Sequence, residues 1–322
     1  MKFKALLLGL VMLLFSVSIA TAQEEITIGA LWLDASEFYT GVARGIDQGA
    51  AAQADYNITV LGNNSQGDAA IEAEQIQTLI GANVSAIIMS AVSETSSVAL
   101  IEEANKAGIP VICYNTCIAQ ADAERLVYSW VTGDHFQQGG GVGKAMGEYF
   151  VANNITEPAI GVISCERYGA CQQRIAGFTE ELLKLVPGAT IVDNQEALEV
   201  DKATEVATNM LTAHPEITAF YGEAGNMVAG AAVAIDLAGL TGQVVVFGHD
   251  ISPTTAQLLL DGQIVKYINA MVAEDFGMTA LRLALDAIEG KPSPGVIYNM
   301  TPVDFFSSDP AKVQAWIDGQ SG

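Results

Sequence analysis

The sequence predicts an α/β protein: two doubly wound, mostly parallel lobes that face each other across a ligand cleft. The first observation is the stretch from Ala86 to Asn115. A short apolar run (Ala86-Ile-Ile-Met) ends in small polar residues and Glu94. An amphipathic run over Val98–Ala107 follows, then Gly108, then a second short apolar run that ends in Tyr114 and Asn115. Strand, helix, strand in that order implies parallel pairing, with ligand-facing loops at the strands' C-terminal ends. The second observation is that the same pattern recurs along the chain in two series that part near Asp134. The third is size. Half of the 322 residues are hydrophobic, enough for a core in each of two lobes.

Each element follows from its local pattern. Ile26–Leu33 reads as a strand opening through Asp34-Ala35-Ser36-Glu37 onto a helix from Phe38, with Val42, Ile46 and Ala50 on one face. Ile58–Leu61 is the next strand, and a helix from Asp68 carries Ala69, Ala73, Ile76 and Ile80 and stops at Gly81. After the Ala86–Asn115 unit, Tyr128-Ser-Trp-Val-Thr-Gly-Asp134 leads into the second series. It comprises a Gly-rich helix over Gln138–Val151, strand Ala159–Ser164, helix Arg174–Leu185, strand Thr190–Asp193 and helix Asp201–Ala213. Strand Ile217–Tyr221, helix Ala224–Leu237 and strand Val244–Phe247 follow, and Pro253 starts another helix. No linker is rich enough in Pro, Gly or Ser to tether free domains, so ordered hinge strands are expected.

Lys2 and Lys4 precede Ala5–Phe15, a run free of polar side chains, and Ala20-Thr21-Ala22 follows. A positive start, an apolar stretch and a small-residue site read as a signal peptide over residues 1–22, cleaved after Ala22, with export to the periplasm. The apolar run is shorter than the roughly 20 residues a membrane span needs. A net charge of −23, from 14 Lys+Arg against 37 Asp+Glu, leaves no basic patch for nucleic acid and disfavours anionic membranes. The four cysteines form two close pairs, Cys113/Cys117 and Cys165/Cys171. In an exported chain an even count favours disulfides. Three connectivities remain open, with local pairing the working expectation. Neither spacing is that of a zinc site, so no metal is expected.

Catalytic punctuation is missing. Gly139-Gly-Gly-Val-Gly-Lys144 lacks the Walker spacing and does not directly follow a strand, so close packing of a helix on a sheet accounts for it better than phosphate binding. His135, His214 and His249 form no metal motif, and there is no nucleophile elbow. Neither an enzyme nor a cofactor is therefore expected. Trp32, Phe38 and Tyr39 sit at or after the first strand's end, where aromatic faces meet sugar C–H faces. Arg174 opens the predicted helix after Gly169-Ala-Cys171, where the helix dipole disfavours a cation, so a ligand or carboxylate partner is expected. Asp250 lies at another strand end.

These pieces resemble the sugar-binding branch of the periplasmic substrate-binding proteins, the ribose-binding-protein-like components of ABC importers. The resemblance rests on Phe38-Tyr39-x-x-Val-x-x-Gly45, Gly81-Ala-Asn-Val-Ser-Ala-Ile-Ile-Met89 and Ala107-Gly-Ile-Pro-Val-Ile112. Arg174-Ile-Ala-Gly-Phe178, Leu211-Thr-Ala-His-Pro215 and Val246-Phe-Gly-His-Asp250 complete it. It implies Rossmann-like lobes joined by three hinge strands and closing on one ligand. One lobe would be 24–132 plus 272–300, the other 133–271 plus 301–322. It further implies that Ser36, Phe38, Tyr39, Arg174 and Asp250 hold the ligand. At the expected Asp-Arg pair this chain has Asn115-Thr116, at the expected Asn-Asp it has Glu223-Ala-Gly-Asn226, and Asn269 stands in the region of an expected glutamine. The implied partners are a sugar-like small molecule and an ABC importer permease, with the chain a monomer. The alternative reading is a sensor whose closed form docks on a chemoreceptor or sensor kinase.

Overall fold

A computed structural model describes residues 23–319; the expected signal peptide lies outside the described residues. The chain begins with β1 (Glu24–Trp32), α1 (Glu37–Ala51), β2 (Tyr56–Asn64), α2 (Ala69–Gly81), β3 (Ala86–Met89) and α3 (Ser97–Lys106). It continues through β4 (Val111–Tyr114), α4 (Gln120–Leu126), β5 (Ser129–Thr132) and α5 (His135–Ala152). Next come β6 (Ala159–Ser164), α6 (Gly169–Leu185), β7 (Thr190–Glu196), α7 (Val200–Ala213), β8 (Ile217–Gly222) and α8 (Gly225–Leu237). The last elements are β9 (Val245–His249), α9 (Pro253–Asp261), β10 (Val265–Ala270), α10 (Ala273–Ile288), β11 (Ile297–Asn299), β12 (Val303–Phe306) and α11 (Pro310–Gly319).

The strands form two six-stranded sheets, ordered β11-β5-β4-β3-β1-β2 and β12-β10-β9-β8-β6-β7. The first is wholly parallel; in the second only β12 runs antiparallel, against β10. Central strands β3, β4 and β6 are buried on both faces, which explains their uninterrupted apolar runs. The edge strand β2 alternates between exposed and half-buried residues. Helix starts are locally encoded. The Asp68 carboxylate accepts from the Ala70 and Ile71 amides to cap α2, and Ser252 and Thr255 form a capping box around Pro253 at the start of α9.

The chain crosses between the sheets three times, after β5, after β10 and between β11 and β12. The crossings touch one another. The Met300 amide donates to the Thr132 oxygen at 2.7 Å, and a methyl group at Gly133 would collide with the end of Met271. The Gly-rich helix departs from its expected packing. Gly139 and Gly143 of α5 face the main-chain oxygens of Arg174 and Phe178, and Gly177 of α6 faces the Phe136 oxygen. The glycines thus bring two helices together rather than a helix onto a sheet, because backbones can approach this closely only where no Cβ intervenes.

Candidate functional site

The C-terminal ends of both sheets converge on one cleft. From the first sheet come Leu33, Asp34 and Ser36 to Tyr39, after β1, and Asn115 and Thr116, after β4. From the second come the Cys165–Arg174 segment, Leu198, Ala224–Met227, Asp250 and Ser252. This is where open parallel sheets place ligands, since loops and helix N-termini leave free groups there.

Asn115 and Asp250 turn the chain at the ends of β4 and β9 with left-handed backbones, φ 53° and 64°. Asn and Asp tolerate that region better than other non-glycine residues. Asn115 donates from Nδ2 to the Tyr39 hydroxyl at 3.0 Å, and its carbonyl accepts from the Trp130 indole at 3.0 Å. The Tyr39 hydroxyl also bonds Ser90 Oγ at 3.2 Å, and Thr116 Oγ1 sits 2.7 Å from both Ser90 Oγ and the Ala91 oxygen. Burial raises the Tyr39 hydroxyl well above its ordinary range, so it is a fixed neutral hydroxyl. Phe38 meets the rings of Tyr39 and Phe276 edge-on. Ser36 caps α1 by position, and its amide donates to Asp34 Oδ1 at 2.8 Å.

On the opposite wall Arg174 is only 8% exposed. Its Nη1 donates to the Glu223 carbonyl at 2.8 Å, and its Nε has no partner among the described residues. The helix carrying it begins at Gly169, so Arg174 lies in the second turn rather than opening the helix. Its placement therefore owes nothing to a dipole conflict: it packs where α5 and α6 touch through glycine. Asp250 accepts from the Gly225 amide at 3.3 Å. Burial pushes its carboxyl up while Arg174 pulls it down. Asn226 lines the cleft and donates to the Leu198 oxygen at 3.0 Å.

Three expected contacts lie elsewhere. Trp32 is the last residue of β1 and lies over Gly62 of β2, while Leu33, the residue directly after the strand, lines the cleft instead. Glu223 lies beneath the cleft surface, fully buried, with Oε2 accepting from the Cys165 amide at 2.8 Å and Oε1 unpartnered. Asn269 points toward Gly141 and donates to Asp304 at 2.8 Å, so its side chain serves the second and third hinge crossings. Residues the sequence reading missed are Asp34, Tyr168 and Ser252. Asp34 is the second residue after β1, a position that could have found it; Tyr168 gave no signal.

Disulfides join Cys113 to Cys117 and Cys165 to Cys171, one in each wall. Cys165, Cys171 and Glu223 place ligand-type atoms within 4.8 Å of one another, but the two sulfurs are bonded together and are not available as thiolates.

The family model for the periplasmic binding protein domain matches residues 30–292. The chain belongs to that family. It is 38% identical over 286 residues to the ABC transporter periplasmic-binding protein YphF of Escherichia coli K12, covering 89% of this chain and 87% of that one. It is 26% identical over 282 residues to the D-ribose/D-allose-binding protein of Pseudomonas aeruginosa, covering 85% and 86%. Among solved structures, an ABC transporter periplasmic solute-binding protein from Actinobacillus succinogenes with bound D-allose superposes with a TM-score of 0.81. That match has 23% identity and covers 90% of this chain and all of the other. The family is one of binding proteins rather than enzymes. No helix among the described residues is long and apolar enough to cross a membrane.

Proposed function

We propose that this periplasmic binding protein captures a sugar or sugar-like small molecule in the cleft and delivers it to an ABC importer. The observation that carries the reading is that one cleft is lined by polar groups from both sheets, among them Arg174, whose buried Nε has no partner among the described residues. A ligand bonding both walls stabilises the closed arrangement of the lobes about the three hinge crossings. Phe38 offers an apolar face, Asn115, Thr116 and Asp250 meet hydroxyls, and Arg174 donates to a ligand oxygen. The protein acts as a monomeric carrier, exported with cleavage after Ala22, and binds without catalysis.

The relatives named for ribose and allose make pentoses and hexoses the first compounds to screen, with polyols and furanoses beside them. Asn115-Thr116 in place of an Asp-Arg pair argues for a ligand with a different hydroxyl pattern, because mismatched buried polar groups discriminate strongly. A thermal-shift screen on the mature chain tests the reading, since a ligand that binds the folded state raises the melting temperature by mass action. A set of sugars and polyols that leaves melting unchanged at millimolar concentration overturns it.

A further inference from the structure

The cleft is acidic. Among the described residues lining it, Asp34, Glu37 and Asp250 are the carboxylates and Arg174 is the cation; the adjoining space, which shares Asn115, Thr116 and Tyr168, adds Glu94 and Arg167, the latter paired with Glu196. Glu37 is engaged across the cleft, accepting from the Thr254 hydroxyl at 2.9 Å. Asp34 spends one oxygen on the Ser36 amide. Asp34 and Asp250 approach from different lobes, one after β1 and the other after β9, and the charge of Asp34 reaches far enough to help raise the Asp250 carboxyl. Arg174 offsets one of these charges and already donates to a main-chain oxygen. Lobe closure over a neutral ligand would bring the two carboxylates nearer in a drier medium, where like charges repel more strongly. A cationic ligand group between the walls removes that cost, and an anionic one adds to it.

We propose that Asp34, together with Asp250 on the opposite wall, selects ligands by charge, so that the cleft prefers amino sugars over neutral sugars and refuses sugar acids and sugar phosphates. The proposal rests on the sugar-binding reading and deepens it. Asp34 is the specificity-determining residue because it lines the cleft with no cation bonded to it, and its charge reaches Tyr39 on its own wall and Tyr168 and Asp250 on the other.

The test is a titration of the mature chain with matched compounds: glucosamine, glucose and glucuronate; galactosamine, galactose and galacturonate; and ribose and ribose 5-phosphate. Binding is read by calorimetry at one ionic strength. The expected result is an amine bound about tenfold or more tighter than its neutral parent, with no acid or phosphate binding at millimolar concentration. Asp34→Asn should collapse the amine-to-neutral ratio to within about twofold, and Asp34→Glu, which keeps the charge, should preserve most of it. The charge selection falls, and the sugar reading stands, if neutral sugars bind and an acid binds as well as its parent. It falls likewise if Asp34→Asn leaves the ratio unchanged. If no compound binds, both fall.

Discussion

Arg174 donates through Nη1 to the carbonyl oxygen of Glu223, 2.8 Å away, and its buried Nε has no partner among the described residues. That bond holds the guanidinium in place, and Nε is left as a buried donor without an acceptor. A buried donor left unmatched costs about 1–3 kcal/mol, which a ligand oxygen would recover. Arg174→Ala is therefore expected to weaken ligand binding at least about tenfold, roughly 1.4 kcal/mol. Arg174→Lys should rescue little, since an ammonium cannot hold both directions at once. Calorimetry on the ligand that emerges from the screen checks this, and an unchanged Kd for both variants removes Arg174 from the site.

Glu223 gives the fold a pH dependence. Burial raises its carboxyl from the usual 4.5 to about 8, against the pull of the Cys165 amide and Arg174. The unfolded chain loses that proton near the usual value while the folded chain keeps it to about 8, so this group's contribution is lost as pH rises through that window. His135 works at the acid end. Burial lowers it to about 4 from 6.5, so its contribution is full above 6.5 and is lost as pH falls toward 4. Glu223→Gln keeps the acceptor for the Cys165 amide and removes the titration. Its melting temperature should gain on that of wild type steadily between about pH 5 and about pH 8. Parallel curves for the two proteins across that range would exonerate Glu223.

Gly139 couples packing to the site. A methyl group there would collide with the main-chain oxygen of Arg174, and the α5–α6 contact has no slack because Gly143 and Gly177 are equally close to backbone. Overpacking of this kind costs about 1–3 kcal/mol. Gly139→Ala should lower the melting temperature and weaken ligand binding together, because the displaced strut is the helix that carries Arg174. Gly81→Ala, at a position with nothing within 4 Å, should do neither. Wild-type affinity in a destabilised Gly139→Ala protein would uncouple the contact from the site.

The alternation of apolar runs and amphipathic helices was readable because parallel strands buried on both faces leave an unbroken apolar signature, as in Ala86–Met89 and Val111–Tyr114. Cleft residues that follow strands directly, such as Asn115 and Asp250, were equally accessible to that reasoning. What sequence could not resolve was side-chain direction within one or two residues of a strand end. Trp32 and Leu33 are neighbours, yet one packs on β2 and the other enters the cleft. Nor could it show that Glu223 would bury beneath Arg174 while its neighbours Gly225 and Asn226 line the surface. The partner of the Gly-rich helix was hidden for a related reason. Glycine advertises close approach but not to what.

The two disulfides bear on binding through the loops they close. Cys113–Cys117 spans Asn115 and Thr116, and Cys165–Cys171 spans Tyr168 and Ala170, so each wall of the cleft has its lining clamped at both ends. For loops this short, chain-entropy reasoning assigns about 2 kcal/mol of stability to each bridge. The Cys113–Cys117 bridge has the added task of holding Asn115 left-handed, a backbone state that costs roughly 1 kcal/mol or more for a non-glycine residue. When the clamp is removed, Asn115 relaxes and its Nδ2 leaves the Tyr39 hydroxyl. The paired replacement Cys113→Ser/Cys117→Ser should therefore weaken ligand affinity about tenfold or more while the lobe stays folded. Adding Asn115→Gly to that pair should not restore affinity, since glycine accepts the backbone state but loses the amide. Circular dichroism establishes folding, and calorimetry in oxidising and reducing buffer reads the affinity. Equal Kd values for wild type in the two buffers, with reduction verified by thiol titration, would confine the bridges to stability alone.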